Sequence, residues 1–186
     1  MIDRTIIRSA AVAALKAAVT VAGNSVYSPD DWPSQKGHYP QIVVRTPHER
    51  KENNAGRNGP PSFWSTITLT AVGTVEATSE AAAETALEAF SLQIENALLT
   101  NGQFIFANQV QQFSSVETSM EVHSEGEMHY GETVVAFAIE VPQYFEPAID
   151  AGGAAIGPSL TEVAITITRQ DTGETLAGET ITLPGA

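Results

Sequence analysis

Four side chains between His123 and His129 have the types that bind a borderline divalent metal: His123, Glu125, Glu127 and His129. Imidazole and carboxylate both ligate such ions. On one continuous strand these alternate residues would share a face, and such a site would serve a metal-dependent hydrolase. Gly126 sits in the middle, however, and Ser124-Glu125-Gly126-Glu127 has turn composition. A solvated hairpin tip is the expected structure, with no metal held there. His38 and His48 fall in loop-like stretches with no GxSxG or HExxH pattern beside them. Gly152-Gly153 is followed by no lysine, so no phosphate-binding loop is expected and no cofactor is implied. The chain has no cysteine, which excludes disulfides, thiolate metal sites and cysteine nucleophiles together. No catalytic residue emerges from this survey, and the expectation is a protein that is not an enzyme.

Charge is the more informative chemistry. Nine Lys and Arg stand against 22 Asp and Glu, a net −13 over 186 residues. The imbalance is uneven along the chain. Residues 1–60 hold eight basic and five acidic side chains, whereas residues 61–186 hold Arg169 alone against seventeen acids. A duplex-binding protein needs clustered cations to release counterions from phosphates, and most of this chain repels DNA. Two charged groups are candidate interface residues: Arg45, Arg50, Lys51 and Arg57 in one stretch, and Glu80, Glu84 and Glu88 along a helix. A ring of identical subunits joins two different patches of one surface, and a chain with a basic first third and an acidic remainder can supply both.

The elements that must position these residues follow from periodicity. Asp3 is placed to cap a helix over Arg4–Ala22, with Ile7, Ala11, Ala14, Ala18 and Val21 at helical spacing and Gly23 as its stop. A short strand is expected over Gln41–Thr46. The polar segment Pro47–Ser62 then reads as a long loop at the tip of a hairpin. Trp64–Val75 alternates Ile67, Leu69, Ala71 and Val75 with threonines, the mark of a sheet with one buried face. A second helix runs from Thr78 or Ser79 to about Thr100, with Ala83, Leu87, Phe90, Ile94, Ala97 and Leu98 as its stripe. Strands are expected over Val116–His123 and Glu132–Val141.

The predicted fold is therefore α+β: an antiparallel sheet with two amphipathic helices on one face, plus a C-terminal β-hairpin. Its divisions are a main domain over residues 1–147, a glycine-rich linker over 148–160 and a threonine-rich hairpin over 161–186. No apolar run approaches the roughly 18–20 residues that cross a bilayer. The alanine-rich opening is interrupted by Arg8, Lys16 and Thr20, unlike a secretory leader. With no export signal visible, synthesis in the cytoplasm is the default expectation.

The order of elements brings a family into view. An N-terminal amphipathic helix leads into Ala22-Gly23-Asn24-Ser25-Val26-Tyr27, then a Trp-Pro loop, the strand Tyr39-Pro40-Gln41-Ile42-Val43-Val44 and a long polar loop. An alternating strand and a helix over Ser79–Leu99, striped by Leu87, Ile94 and Leu98, follow. Over residues 1–146 this resembles the tail terminator (minor tail) proteins of long-tailed bacteriophages and related tail-like particles. The segment from Asp150 onward has no counterpart in that plan. The resemblance implies a virion subunit at the head-proximal end of the tail, assembled in the host cytoplasm. It would form a homo-oligomeric ring, typically a hexamer, that caps the tail tube, stops its polymerisation and meets the head connector. Genome DNA would pass through without specific binding, and no catalytic residue is carried over. The alternatives are another head–tail connector or a tail tube subunit and, from other classes, the metal-dependent hydrolase above or a secreted β-rich binding module.

Overall fold

The structure is a computed structural model that describes residues 2–29, 39–54, 60–126, 128–146, 162–168 and 175–182. The chain divides into two compact units, Met1–Phe145 and Glu146–Ala186. The glycine-rich segment expected over 148–160 lies outside the described residues.

The first unit opens with helix α1 (Arg4–Ala17), whose N-terminus is capped by Asp3. Its carboxylate accepts hydrogen bonds from the Thr5 and Ile6 amides at 2.8 and 3.0 Å. The helix stops short of the expected Ala22. Ala18 is already extended, and the β-branched run Val19-Thr20-Val21 disfavours continuation because its side chains crowd the preceding turn. Val21 therefore leaves the apolar stripe and is exposed, its amide bound to Gln93 Oε1 at 2.8 Å. Ile7, Ala11, Ala14 and Leu15 form the buried face.

Five strands build one sheet in the order β1-β2-β3-β5-β4. They are β1 (Val26–Tyr27), β2 (Gln41–Asn53), β3 (Ser62–Ala77), β4 (Gln112–Glu125) and β5 (Met128–Tyr144). All pairs are antiparallel except β1 with β2, so the sheet is mixed rather than purely antiparallel. The expected loop over Pro47–Ser62 is largely strand. β2 continues to Asn53 and pairs with β3 as far as Phe63, which confines the connection to residues 54–61. This extension carries polar side chains because it lies at the sheet margin, where little apolar cover demands hydrophobic alternation.

Helix α2 (Glu80–Leu99) lies across the inner face, capped by Ser79 Oγ at the Ala82 amide, and buries Ala83, Leu87, Phe90, Ser91, Ile94 and Leu98. A short third helix, α3 (Gly102–Ala107), follows at once. Asn101 Oδ1 caps it by accepting from the Phe104 amide at 2.9 Å, and Phe104 is buried. The α+β expectation holds, with both long helices on the same face of the sheet. That face is paved by Ile67, Leu69, Ala71 and Val75 of β3 and Val135, Phe137, Ile139 and Val141 of β5. Each large aliphatic side chain buried there contributes about 1.5–3 kcal/mol. Two glycines let α2 approach so closely: a Cβ on Gly73 would sit 2.8 Å from the Phe90 ring, and one on Gly131 would sit 2.8 Å from Leu87 Cδ1.

The second unit contains the antiparallel pair β6 (Glu162–Thr168) and β7 (Thr175–Thr182), in register from Glu162 opposite Thr182.

Candidate functional site

The hairpin between β4 and β5 carries the histidines that prompted the metal reading. His123 is opposite Tyr130, whereas His129 is opposite Ser124 and, on its other side, Ala77. Strand alternation thus puts His123 on the face of the sheet away from the helices and His129 on the helix-covered face. The reversal at Glu125–Met128 destroys the shared face that a continuous strand would have offered. His123 Nε2 lies 3.6 Å from the Glu121 carboxylate, and His129 Nδ1 lies 3.0 Å from Ser124 Oγ. Among the described residues, no group of three or more His, Asp or Glu could hold a metal ion. Glu127 is outside those residues, as is His38.

A partly buried carboxylate does exist, at a position that reads from the sequence as loop. Glu49 of β2 accepts from Ser65 Oγ at 2.6 Å and from Gln143 Nε2 at 2.8 Å, with Lys51 Nζ at 3.5 Å. Burial pushes the Glu49 carboxyl up. The hydrogen bonds from Ser65 and Gln143 and the Lys51 charge outweigh that, leaving it below the usual glutamate range. The second N–H of Gln143 donates to the Ile2 carbonyl at 2.9 Å, so the carboxamide also ties the start of α1 to the sheet. Arg4 Nε at 3.7 Å from Glu49 is half exposed and adds little. Ser65 is 0% exposed. A hydroxyl sealed there meets no substrate, and the cluster works as a clamp.

Two surface grooves offer little to a reaction. One of about 410 Å³ between α1 and α3 is lined by Ala10, Ala13, Ala17, Gln103 and Phe104 among others, with no ionisable side chain. Another, of about 450 Å³, is walled by Val21, Val75, Ala86 and Met128 and has Glu76 and Tyr39 as its ionisable groups.

The charges tell more. Every Lys and Arg among the described residues lies on α1 or β2: Arg4, Arg8, Lys16, Arg45, Arg50 and Lys51. Helix α2 and strands β3, β4 and β5 carry none. They hold Glu76, Glu80, Glu84, Glu88, Glu95, Glu117, Glu121, Glu125, Glu132 and Glu140. Sheet order sets β2 and β4 at opposite margins, so the linear charge bias becomes a spatial one. Of the candidate interface residues, Arg45 and Arg50 are on the face of β2 away from the helices, opposite Thr70 and Thr66 of β3. Lys51 is on the other face, 5.2 Å from the Phe145 ring centre. Glu80, Glu84 and Glu88 are exposed on α2, and Arg57 lies outside the described residues. The flank of α2 leans on β4, where Thr118 Oγ1 donates to Glu95 at 2.8 Å.

Both margins lack a full strand partner among the described residues of the first unit. β1 covers only Ile42 and Val43 of β2. Among the described residues neither β2 beyond Val43 nor the outer side of β4 has a strand partner. β4 also exposes Val116 and Met120, at 36% and 43%.

No protein-family model matches the chain, and no curated protein is similar to it by sequence. Among solved structures it is similar to a chain of the virion of a native gene transfer agent particle. The TM-score is 0.40 at 14% identity, over 72% of this chain and 93% of that one.

The β4 margin was only partly visible beforehand. Glu117 and Glu121 read as strand residues, but nothing in their spacing told that their strand is terminal in the sheet. Glu49, Ser65 and Gln143 were missed outright, because a polar residue that closes a cluster looks in sequence like any solvated one.

Proposed function

We propose that this protein is a structural subunit of a phage-like virion, acting as a ring that caps the tail tube, ends its polymerisation and meets the head connector. The observation that carries the reading is the opposition of charge across one sheet. A subunit with cations at one margin and carboxylates at the other attracts copies of itself head to tail and repels them head to head. Head-to-tail contact that closes on itself makes a ring. The resemblance of residues 1–146 to tail terminators supplies the place of that ring, and a hexamer is the family's usual size. Ten glutamates on the strands and helix away from β2 also suit a conduit that must release DNA. On this reading the protein is no enzyme, and its partners are its own copies, the tube protein and the connector.

Light scattering and negative-stain microscopy of the purified protein, alone and with tail tube protein, test the proposal. Closed rings, or monomers that bind tube ends only, are the expected result. Stacked tubes formed by this protein alone would make it a tube subunit instead. A monomer that ignores tubes would sink the assignment.

A further inference from the structure

The ring reading leaves open which surfaces meet, and the two sheet margins supply a specific answer. On β2 the pairing with β3 shifts between Arg45 and His48, so that Arg45, His48 and Arg50 face Thr70, Thr68 and Thr66. These three therefore occupy successive positions on the face away from the helices, with a cation at each end. On β4, Glu117, Ser119 and Glu121 face Ala136, Val134 and Glu132 of β5. They occupy successive positions on that same face, with a carboxylate at each end. The two patterns have equal length and opposite charge.

Strand direction completes the match. β2 is antiparallel to β3, β3 to β5, and β5 to β4, so β2 and β4 run in opposite directions. Because Arg45 and Glu117 lie level across Thr70 and Ala136 within one subunit, matching the two patterns end to end staggers successive copies by four residues, about 13 Å, along the strands. A ring then closes only with its strands tilted to the axis, as in a barrel. In it the β4 margin of one copy meets the β2 margin of the next as an antiparallel pair, outward amides and carbonyls bonding directly across.

Resting on the ring reading, we propose that successive subunits join by extending one sheet into the next, β4 against β2. In this register Arg50 faces Glu117, His48 faces Ser119 and Arg45 faces Glu121 of the neighbouring copy. A two-residue slip would set Arg50 against Ser119 and Arg45 against His123, losing both ion pairs. A four-residue slide would set Arg50 against Glu121 and Arg45 against Glu125, keeping two ion pairs but doubling the stagger between copies. Within its own subunit Arg50 pairs with Glu52 at 2.8 Å, and Glu121 lies 3.6 Å from His123. Both are exposed pairs that hold their partners weakly. The irregularity at Arg45–His48, which contains Pro47, and the charges beside it blunt the margin against arbitrary strands. The partner is thereby selected by charge rather than by backbone alone.

The absence of native cysteine makes the register directly testable. The double variant His48→Cys/Ser119→Cys keeps all four charged residues, and both positions are exposed, so folding is preserved. Within one subunit the two sites are three strand spacings apart, about 14 Å, too far for a disulfide. Oxidation of the assembled variant, with tail tube protein present, is expected to give a ladder of covalent oligomers reaching the ring's full mass. His48→Cys/His123→Cys, which reports the four-residue slide, should stay uncrosslinked, as should each single variant. In parallel, Arg50→Glu should abolish assembly, and Arg50→Glu/Glu117→Arg should restore it. Intact rings with no His48–Ser119 crosslink would overturn the proposed contact and leave the ring reading standing. Crosslinking in the slid pair, or dimers of a single variant, would overturn it equally. A parent protein that forms no ring, alone or with tube protein, would remove the ring reading and this contact with it.

Discussion

Glu49 and Gln143 meet at 2.8 Å, a carboxylate on β2 accepting from a carboxamide on β5, with Ser65 of the intervening β3 bonded to the same oxygen. Three strands are thus pinned at one end of the sheet, and the second Gln143 N–H extends the link to the Ile2 carbonyl just before α1. Removing the carboxylate leaves the buried Ser65 Oγ without its acceptor and Gln143 Nε2 with the Ile2 carbonyl alone. Glu49→Ala is expected to cost about 1–3 kcal/mol of stability, read by chemical denaturation. Glu52→Ala, an exposed neighbour two residues on, should change stability by less than about 0.5 kcal/mol. Equal effects of the two would show that the clamp is inert.

The same carboxylate makes stability depend on pH. Its pKa in the folded protein is lowered, so the unfolded chain binds the proton more readily. The stabilisation is complete above the ordinary glutamate pKa, near ~4.3, and is lost as pH falls through the lowered folded value. The stability gap between parent and Glu49→Gln should therefore narrow as the solution is acidified through that window. A gap independent of pH would contradict the assignment.

Gly73 faces the Phe90 ring at a distance no Cβ tolerates, with Thr133 Cγ2 at 3.0 Å beside it. Because the aromatic ring is itself fully buried, it has little room to give. Gly73→Ala should destabilise by about 1–3 kcal/mol. Gly102→Ala is the contrast: its Cβ would meet Phe106 at an ordinary 3.6 Å inside a helix. Alanine there should be neutral or mildly stabilising by thermal denaturation. Reversal of that order would refute the close approach of α2 to the sheet.

Asp3 satisfies two amides at the start of α1. Asp3→Ala should lower stability by about 1 kcal/mol, while Asp3→Ser, which keeps an acceptor, should recover most of it. Failure of serine to recover would assign the loss to charge instead of to capping.

Assembly through facing Arg–Glu pairs at exposed margins should weaken as salt rises, because the Debye length falls from about 10 Å at 0.1 M to about 3 Å at 1 M. Sedimentation of rings across that range should show dissociation at high salt for the parent. A contact that tightens with salt would be apolar, and would direct attention to Val116 and Met120.

Much of the first unit was legible one element at a time. The threonine alternation of β3, the Val135–Val141 face of β5 and the Leu87–Leu98 stripe of α2 are local records of a one-sided core, because burial on a single face imposes period two on a strand and period 3.6 on a helix. The bias of charge along the chain was equally plain. Other features lie between distant residues, so no local period records them. The sheet order turned the charge bias into two opposed margins. The marginal position of β2 let a polar stretch remain strand to Asn53 without hydrophobic alternation. The clamp joins Glu49, Ser65 and Gln143 across three strands, and the fit of Phe90 over Gly73 depends on a helix and strand brought together only by folding. Pattern reports which side of an element is covered; only the assembled sheet decides which strand ends it and which residues meet there.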